Sequence, residues 1–121
     1  MKNDNIIQIE TYNFALKIIR LYQFLIKEHK EFVISKQVLR CGTSIGANIE
    51  EAIGGQSGKD FLAKISISYK EARETHFWIR LLHDTDYITI EKKDELLKDV
   101  DTILRIIGSI QITMKEKLSI K

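Results

Sequence analysis

Apolar residues recur along the first quarter of the chain in helical steps. Ile7, Phe14, Ile18, Leu21 and Leu25 fall on one face of a helix predicted over residues 5–29. A second stripe, Tyr12, Ala15, Ile19, Tyr22 and Ile26, runs beside the first, while Glu10, Asn13, Lys17, Arg20, Gln23 and Lys27 take the opposite side. One helix of a small monomeric bundle needs only a narrower stripe, so the second one predicts a contact with another subunit.

Ser35 is placed to cap a second helix over residues 36–53 by accepting from a free backbone N–H. Val38, Ile45, Ile49 and Ala52 share a face of it, but Cys41, Gly42, Thr43, Ser44, Gly46 and Ala47 make its middle small-sided. Each interior Gly costs about 1 kcal/mol relative to Ala, so close packing or a local bend must offset the two of them. Gly54-Gly55 ends this helix, and Ser57, with Asp60 three residues on, starts a third over residues 58–84. Its seam is Phe61, Ile65, Ser68, Ala72, Thr75, Ile79 and Leu82, widened by Leu62, Tyr69, His76, Phe77, Trp78 and Leu81. After the turn Asp84-Thr85-Asp86-Tyr87, Thr89 caps a fourth helix over residues 90–118. That helix shows the most regular heptad: Ile90, Leu97, Val100, Leu104, Ile107, Gln111, Met114 and Leu118. Four amphipathic segments on short connections predict an all-α, antiparallel up-down-up-down bundle forming one domain over residues 1–121.

Composition narrows this picture. The 121 residues include no Pro, and 44% are hydrophobic and 30% charged, a mixture that suits amphipathic helices. A single Cys cannot form an internal disulfide, which sets aside disulfide-stapled extracellular scaffolds. Met1-Lys2-Asn3-Asp4-Asn5 lacks the apolar run of a signal peptide, and no apolar stretch reaches the length of a membrane span. A cytoplasmic location is therefore expected.

Candidate chemistry is sparse. Bundle metal centres use Glu-x-x-His pairs, and neither Glu28-His29 nor Glu74-Thr75-His76 has that spacing, so no metal or cofactor is expected. The glycines fit neither the phosphate loop nor the dinucleotide fingerprint. Ser44, Asn48 and Glu51 share a side of the second helix, and Glu71 and Glu74 a side of the third. The two glutamates could act as an acid–base pair or could belong to a hydrogen-bonded, ion-paired network that fixes helix register or a subunit contact. No nucleophile with an orienting base stands nearby, so no catalytic residue is nominated. Lys17, Arg20, Lys27, Lys59, Lys64, Arg73 and Arg80 are the candidates for phosphate contacts; the alternative is an ordinary solvated face, given a net charge of only +2.

The stretch Leu39-Arg40-Cys41-Gly42-Thr43-Ser44-Ile45-Gly46-Ala47-Asn48-Ile49-Glu50-Glu51-Ala52 is followed by Ser57, Asp60-Phe61, Lys70-Glu71-Ala72-Arg73-Glu74-Thr75, Trp78, Leu81-Leu82 and Asp86-Tyr87-Ile88. Together these resemble the bacterial four-helix bundle proteins encoded in intervening sequences of 23S ribosomal RNA genes. The resemblance implies a subunit that assembles into a homopentameric barrel without established catalytic activity. It also implies structural or interface roles for Ser44, Asn48, Glu51, Ser57, Glu71, Glu74 and Trp78. Gly46 departs from the family's pattern, where many members carry Pro. That family is similar in fold to the accessory protein of diversity-generating retroelements, a basic barrel thought to bind nucleic acid and a reverse transcriptase. The expected function is thus a non-enzymatic oligomer that binds RNA or DNA through a basic surface formed on assembly. The alternative is a scaffold that docks a polymerase-type protein partner without touching nucleic acid.

Overall fold

The computed structural model of the chain describes residues 2–119, so Met1, Ile120 and Lys121 of the expected domain lie outside the described residues. Four helices make up the fold: α1 (Lys2–His29), α2 (Ile34–Ile53), α3 (Gly58–Asp84) and α4 (Ile90–Lys117). Each helix packs on its neighbours in the chain, and α4 closes back on α1 along the sparsest seam; α1 and α3 occupy diagonal corners, as do α2 and α4. This is the up-down arrangement expected of amphipathic helices on short connections.

The core follows the sequence pattern closely on three helices. Ile7, Phe14, Ile18, Leu21 and Leu25 are all buried, and Thr11 fills the gap in that stripe by donating its hydroxyl to the Ile7 carbonyl at 2.8 Å. On α3, Ile65, Ser68, Ala72, Thr75, Ile79 and Leu82 are buried, with Leu62 inside and Phe61 only half-buried. The fourth helix departs from expectation. Its buried stripe is Leu96, Val100, Ile103, Ile107 and Ile110, whereas Leu97, Leu104 and Met114 lie at its edge and Ile90 is exposed. The apolar arc there spans two adjacent heptad seams, and a spacing rule alone does not say which of them faces the core.

The small middle of α2 serves close packing. An added Cβ at Gly42 would lie 2.8 Å from both Cγ1 and Cγ2 of Ile18, and one at Gly46 would lie 3.3 Å from the Thr11 carbonyl oxygen. These two glycines let α1 press against α2. The small residues of α3 do the same on the other side, where hydroxyls find partners: Ser68 donates to the Ile45 carbonyl at 2.8 Å, and Thr75 donates to the Glu71 carbonyl at 2.8 Å.

The start of α2 corrects the reading of Ser35. The helix begins at Ile34, and the N-cap residue Val33 makes no side-chain cap bond. Instead the Glu31 carboxylate accepts from the backbone N–H groups of Val33, Ile34 and Ser35 at 3.0, 2.9 and 2.6 Å. Ser35 is already inside the first turn, buried, and donates its hydroxyl back to the Glu31 carbonyl at 2.7 Å. A carboxylate satisfies three orphan donors where a hydroxyl would satisfy one, which explains the substitution of roles. Ser57 and Thr89, by contrast, cap α3 and α4 as expected, accepting from Asp60 and Lys92 N–H at 3.1 Å each.

Desolvation pushes the Glu31 carboxyl up, but the N–H groups of Ile34, Ser35 and Val33 together outweigh it and hold the group below its usual range. The cap therefore contributes stability that is complete above the unfolded pKa and is lost as pH falls through the folded value. Glu31→Ala is expected to cost about 1–2 kcal/mol at neutral pH. In urea melts the deficit against the parent protein should shrink as the pH is lowered through the carboxylate range, and a deficit that does not change with pH would refute the cap.

Candidate functional site

Two regions concentrate polar chemistry. The first is the α2–α3 seam. Arg40 on α2 pairs with Glu71 at 3.2 Å and with Glu74, and the Trp78 indole N–H donates to the same Glu74 Oε2 at 3.0 Å. Glu71, Glu74 and Trp78 share a side of α3 through steps of three and four residues, which brings all three within reach of one guanidinium. Further along α2, the Asn48 side-chain amide donates to the Ser44 carbonyl at 2.9 Å and the Ser44 hydroxyl at 3.2 Å, and Glu51 pairs with Lys64 at 2.9 Å. Of the residues nominated as structural, Ser57 alone lies away from this seam, at the α3 cap.

The seam's geometry is that of a bridge between helices. Arg40 ties both glutamates to α2. Beneath it the Cys41 thiol is buried, with its Sγ 3.2 Å from the Thr75 hydroxyl oxygen; desolvation pushes its pKa up to about 11, so at neutral pH it is a protonated, packed group. Glu74→Ala is expected to lower stability by about 1 kcal/mol, since it strands the Trp78 N–H as well as breaking an ion pair with Arg40. Combining it with Arg40→Ala in a double-mutant cycle should give less than the sum of the single losses; full additivity would count against the bridge.

The second region is a groove of about 780 Å³ where the end of α1 meets the α3–α4 turn. Arg20, Phe24 and His29 line it from α1, Asp86, Tyr87 and Thr89 from the turn, and Lys17, Lys92 and Glu95 flank it. The His29 ring stands edge-on to Phe24 at 5.2 Å and to Tyr87 at 5.3 Å, linking the two walls. Asp86 holds a left-handed backbone, φ 69°, and the Tyr87 N–H closes the turn onto the Leu82 carbonyl at 2.9 Å, so the ring is set by the end of α3. Glu95 is held by two ammonium groups, Lys17 at 3.2 Å and Lys92 at 3.2 Å, and the Lys17 hydrogen bond is the main cause of its lowered pKa. Lys17 also reaches Asp99 at 2.8 Å, the chief reason its own pKa is raised.

A sequence profile described as 23S rRNA-intervening sequence protein matches residues 3–109. The chain belongs to the 23S rRNA-intervening sequence protein family. A crystal structure of a protein of unknown function from the S23 ribosomal protein family of Bacteroides thetaiotaomicron VPI-5482 is 48% identical, covers 90% of this chain and 97% of its own, and superposes with a TM-score of 0.89. A search of curated proteins finds no match.

Within this intervening-sequence protein, the seven nominated basic residues do not form one patch. Lys17, Arg20 and Lys27 lie on α1, and Lys59, Lys64, Arg73 and Arg80 on α3, at the diagonal corner. Lys17 and Lys64 are taken up by intramolecular ion pairs, whereas Arg20, Lys27, Lys59, Arg73 and Arg80 have no acidic partner among the described residues. Among the described residues no group of three His, Cys, Asp or Glu side chains could hold a metal, and no helix is long and apolar enough to cross a membrane. Of the groove's lining, the sequence pattern marks Lys17 and Arg20 as candidate phosphate contacts, Thr89 as a helix cap and Asp86-Tyr87-Ile88 as part of the family resemblance, but not their convergence. Phe24 falls in neither apolar stripe of α1, and a large aromatic residue on an otherwise polar face is the signal that was there to find.

Proposed function

We propose that this chain is a non-enzymatic subunit that assembles with copies of itself, as a pentamer, and binds RNA or DNA through a basic surface completed by assembly in the cytoplasm. The observation that carries the reading is the set of five exposed cations, Arg20, Lys27, Lys59, Arg73 and Arg80, that the fold leaves without acidic partners. Cations already held in ion pairs would have to give up those pairs to meet phosphate; these would not. Because they are divided between diagonal helices, one subunit cannot present them all to one ligand, and neighbouring subunits would have to complete the surface. At +2 per chain, five copies carry about +10, enough for an appreciable field if the basic faces align.

Self-assembly is supported by the exterior of α1. Ile9 and Tyr12 are 61% and 64% exposed, and with Leu16 and Ile19 they form an apolar stripe at steps of three, four and three residues on the outside of the subunit. The absence of an enzymatic role rests on the α2–α3 seam, where both carboxylates are tied to Arg40 and the one thiol is packed and protonated.

A salt titration tests the reading. The logarithm of the affinity for RNA or DNA should fall linearly with the logarithm of salt concentration, with a slope that reports the phosphates neutralised. No binding at low salt, or binding indifferent to salt, would remove it. Capture of a protein partner that survives nuclease treatment would favour the scaffold instead.

A further inference from the structure

The polar side of α1 carries a cation, an aromatic ring and a second cation in register. Arg20, Phe24 and Lys27 are spaced at four and three residues, all exposed, and so stand in one row on the helix; the two charges are about 10 Å apart along the axis. Phe24 is 41% exposed, and Arg20 and Phe24 both line the groove against Tyr87 and His29. Charge is sorted within it. Lys17 and Lys92 are spent on Glu95 and Asp99, while Arg20 and the Asp86 carboxylate have no charged partner among the described residues.

We propose that this groove holds one unstacked nucleobase of a single strand, with the base lying among Phe24, His29 and Tyr87 and the flanking phosphates on Arg20 and Lys27. A planar base supplies the π-face that exposed aromatic rings stack on, and an anion on either side of it matches the two free cations. The exocyclic amine and ring N–H of a guanine base are two adjacent donors from which both oxygens of the free Asp86 carboxylate can accept, which favours guanine over a pyrimidine, whose corresponding edge offers a single donor group. The volume lies within the range that holds a small ligand. An aliphatic ligand would leave Arg20 and Asp86 unpaired, and a double helix would keep its bases out of reach of Phe24. The inference deepens the nucleic-acid reading and rests on it for the strand, but the base subsite stands separately.

A short single-stranded RNA carrying 2-aminopurine in its centre reads stacking directly through its fluorescence. Saturation with the protein should quench the emission several-fold, and Phe24→Ser should weaken binding about tenfold. Tyr87→Leu, which keeps apolar volume beside the core, should do the same, while Arg20→Ala should lower the salt slope by about one phosphate contact. Phe24 is exposed, so its variant is expected to fold, and circular dichroism verifies that. Emission that does not change on saturation, or Phe24→Ser binding as tightly as the parent, overturns the base subsite even if salt-dependent duplex binding leaves the broader reading intact. If no polynucleotide binds, the broader reading fails, and guanosine monophosphate becomes the deciding probe. Shifts of the Tyr87 and Ile88 amide signals would then uphold the subsite, and their absence would refute it.

Discussion

Gly42→Val is expected to destabilise the bundle by about 3 kcal/mol, and to cost much less when Ile18 has been cut back to Ala. The contact is short at the base of a stiff side chain: an added Cβ meets Cγ1 and Cγ2 of Ile18 at 2.8 Å. In a helix the χ1 of Ile has one strongly preferred setting, so Ile18 cannot swing aside and α1 must move away from α2. Helix propensity argues the other way, since Gly is the poorer helix former; a loss of stability therefore isolates the packing term. Urea melts of the parent, both single variants and the pair give the coupling, expected at 1–3 kcal/mol in favour of the pair. Strict additivity would show that the helices do not meet there. Gly46→Ala is the control, because the 3.3 Å approach to the Thr11 carbonyl needs only a small adjustment and the change should stay within about 1 kcal/mol.

The pair Leu16→Glu and Ile19→Glu should reduce the particle mass in light scattering to that of one subunit while the helical signal stays intact. Both residues are about two-fifths exposed on the outer side of α1, so charge there costs the isolated subunit little but would place several carboxylates in a water-excluded contact between copies. If nucleic acid is bound by a surface shared among subunits, the same variant should lose affinity by about a hundredfold or more, as multivalent contact gives way to single weak ones. An assembly of unchanged mass would move the proposed contact off this stripe.

The buried faces of α1, α2 and α3 were legible because the seam of apolar or small residues assigned to the core of each is the one that burial selects, while the stripes beside it on α1 and α3 stay partly or largely exposed, and Ser57 stands at a helix start where a cap is required. On α4 the pattern was rich enough to offer two seams, and burial chose Leu96, Val100, Ile103, Ile107 and Ile110. Ser35 misled for a chemical reason: the carboxylate of Glu31, four residues earlier, accepts from the Val33, Ile34 and Ser35 N–H groups and starts the helix two residues sooner, which places Ser35 inside the first turn, and its charge is favourable to a helix N-terminus. The roles of Glu71 and Glu74 were narrowed by Arg40, which approaches from another helix and so leaves no trace in local spacing. The same is true of the groove, whose walls come from residues about sixty positions apart.

Every helix contact but one is between chain neighbours, so most of the bundle can form from adjacent hairpins with little loop-closure entropy. The join between α1 and α4 is the exception, and it is also the sparsest. The groove sits on that join, with Arg20 and Phe24 on one side and Tyr87, Thr89 and Lys92 on the other. A ligand held there would act as a clasp across the sparsest contact of the fold, so occupancy would register as slower hydrogen exchange along α4 far from the ligand itself.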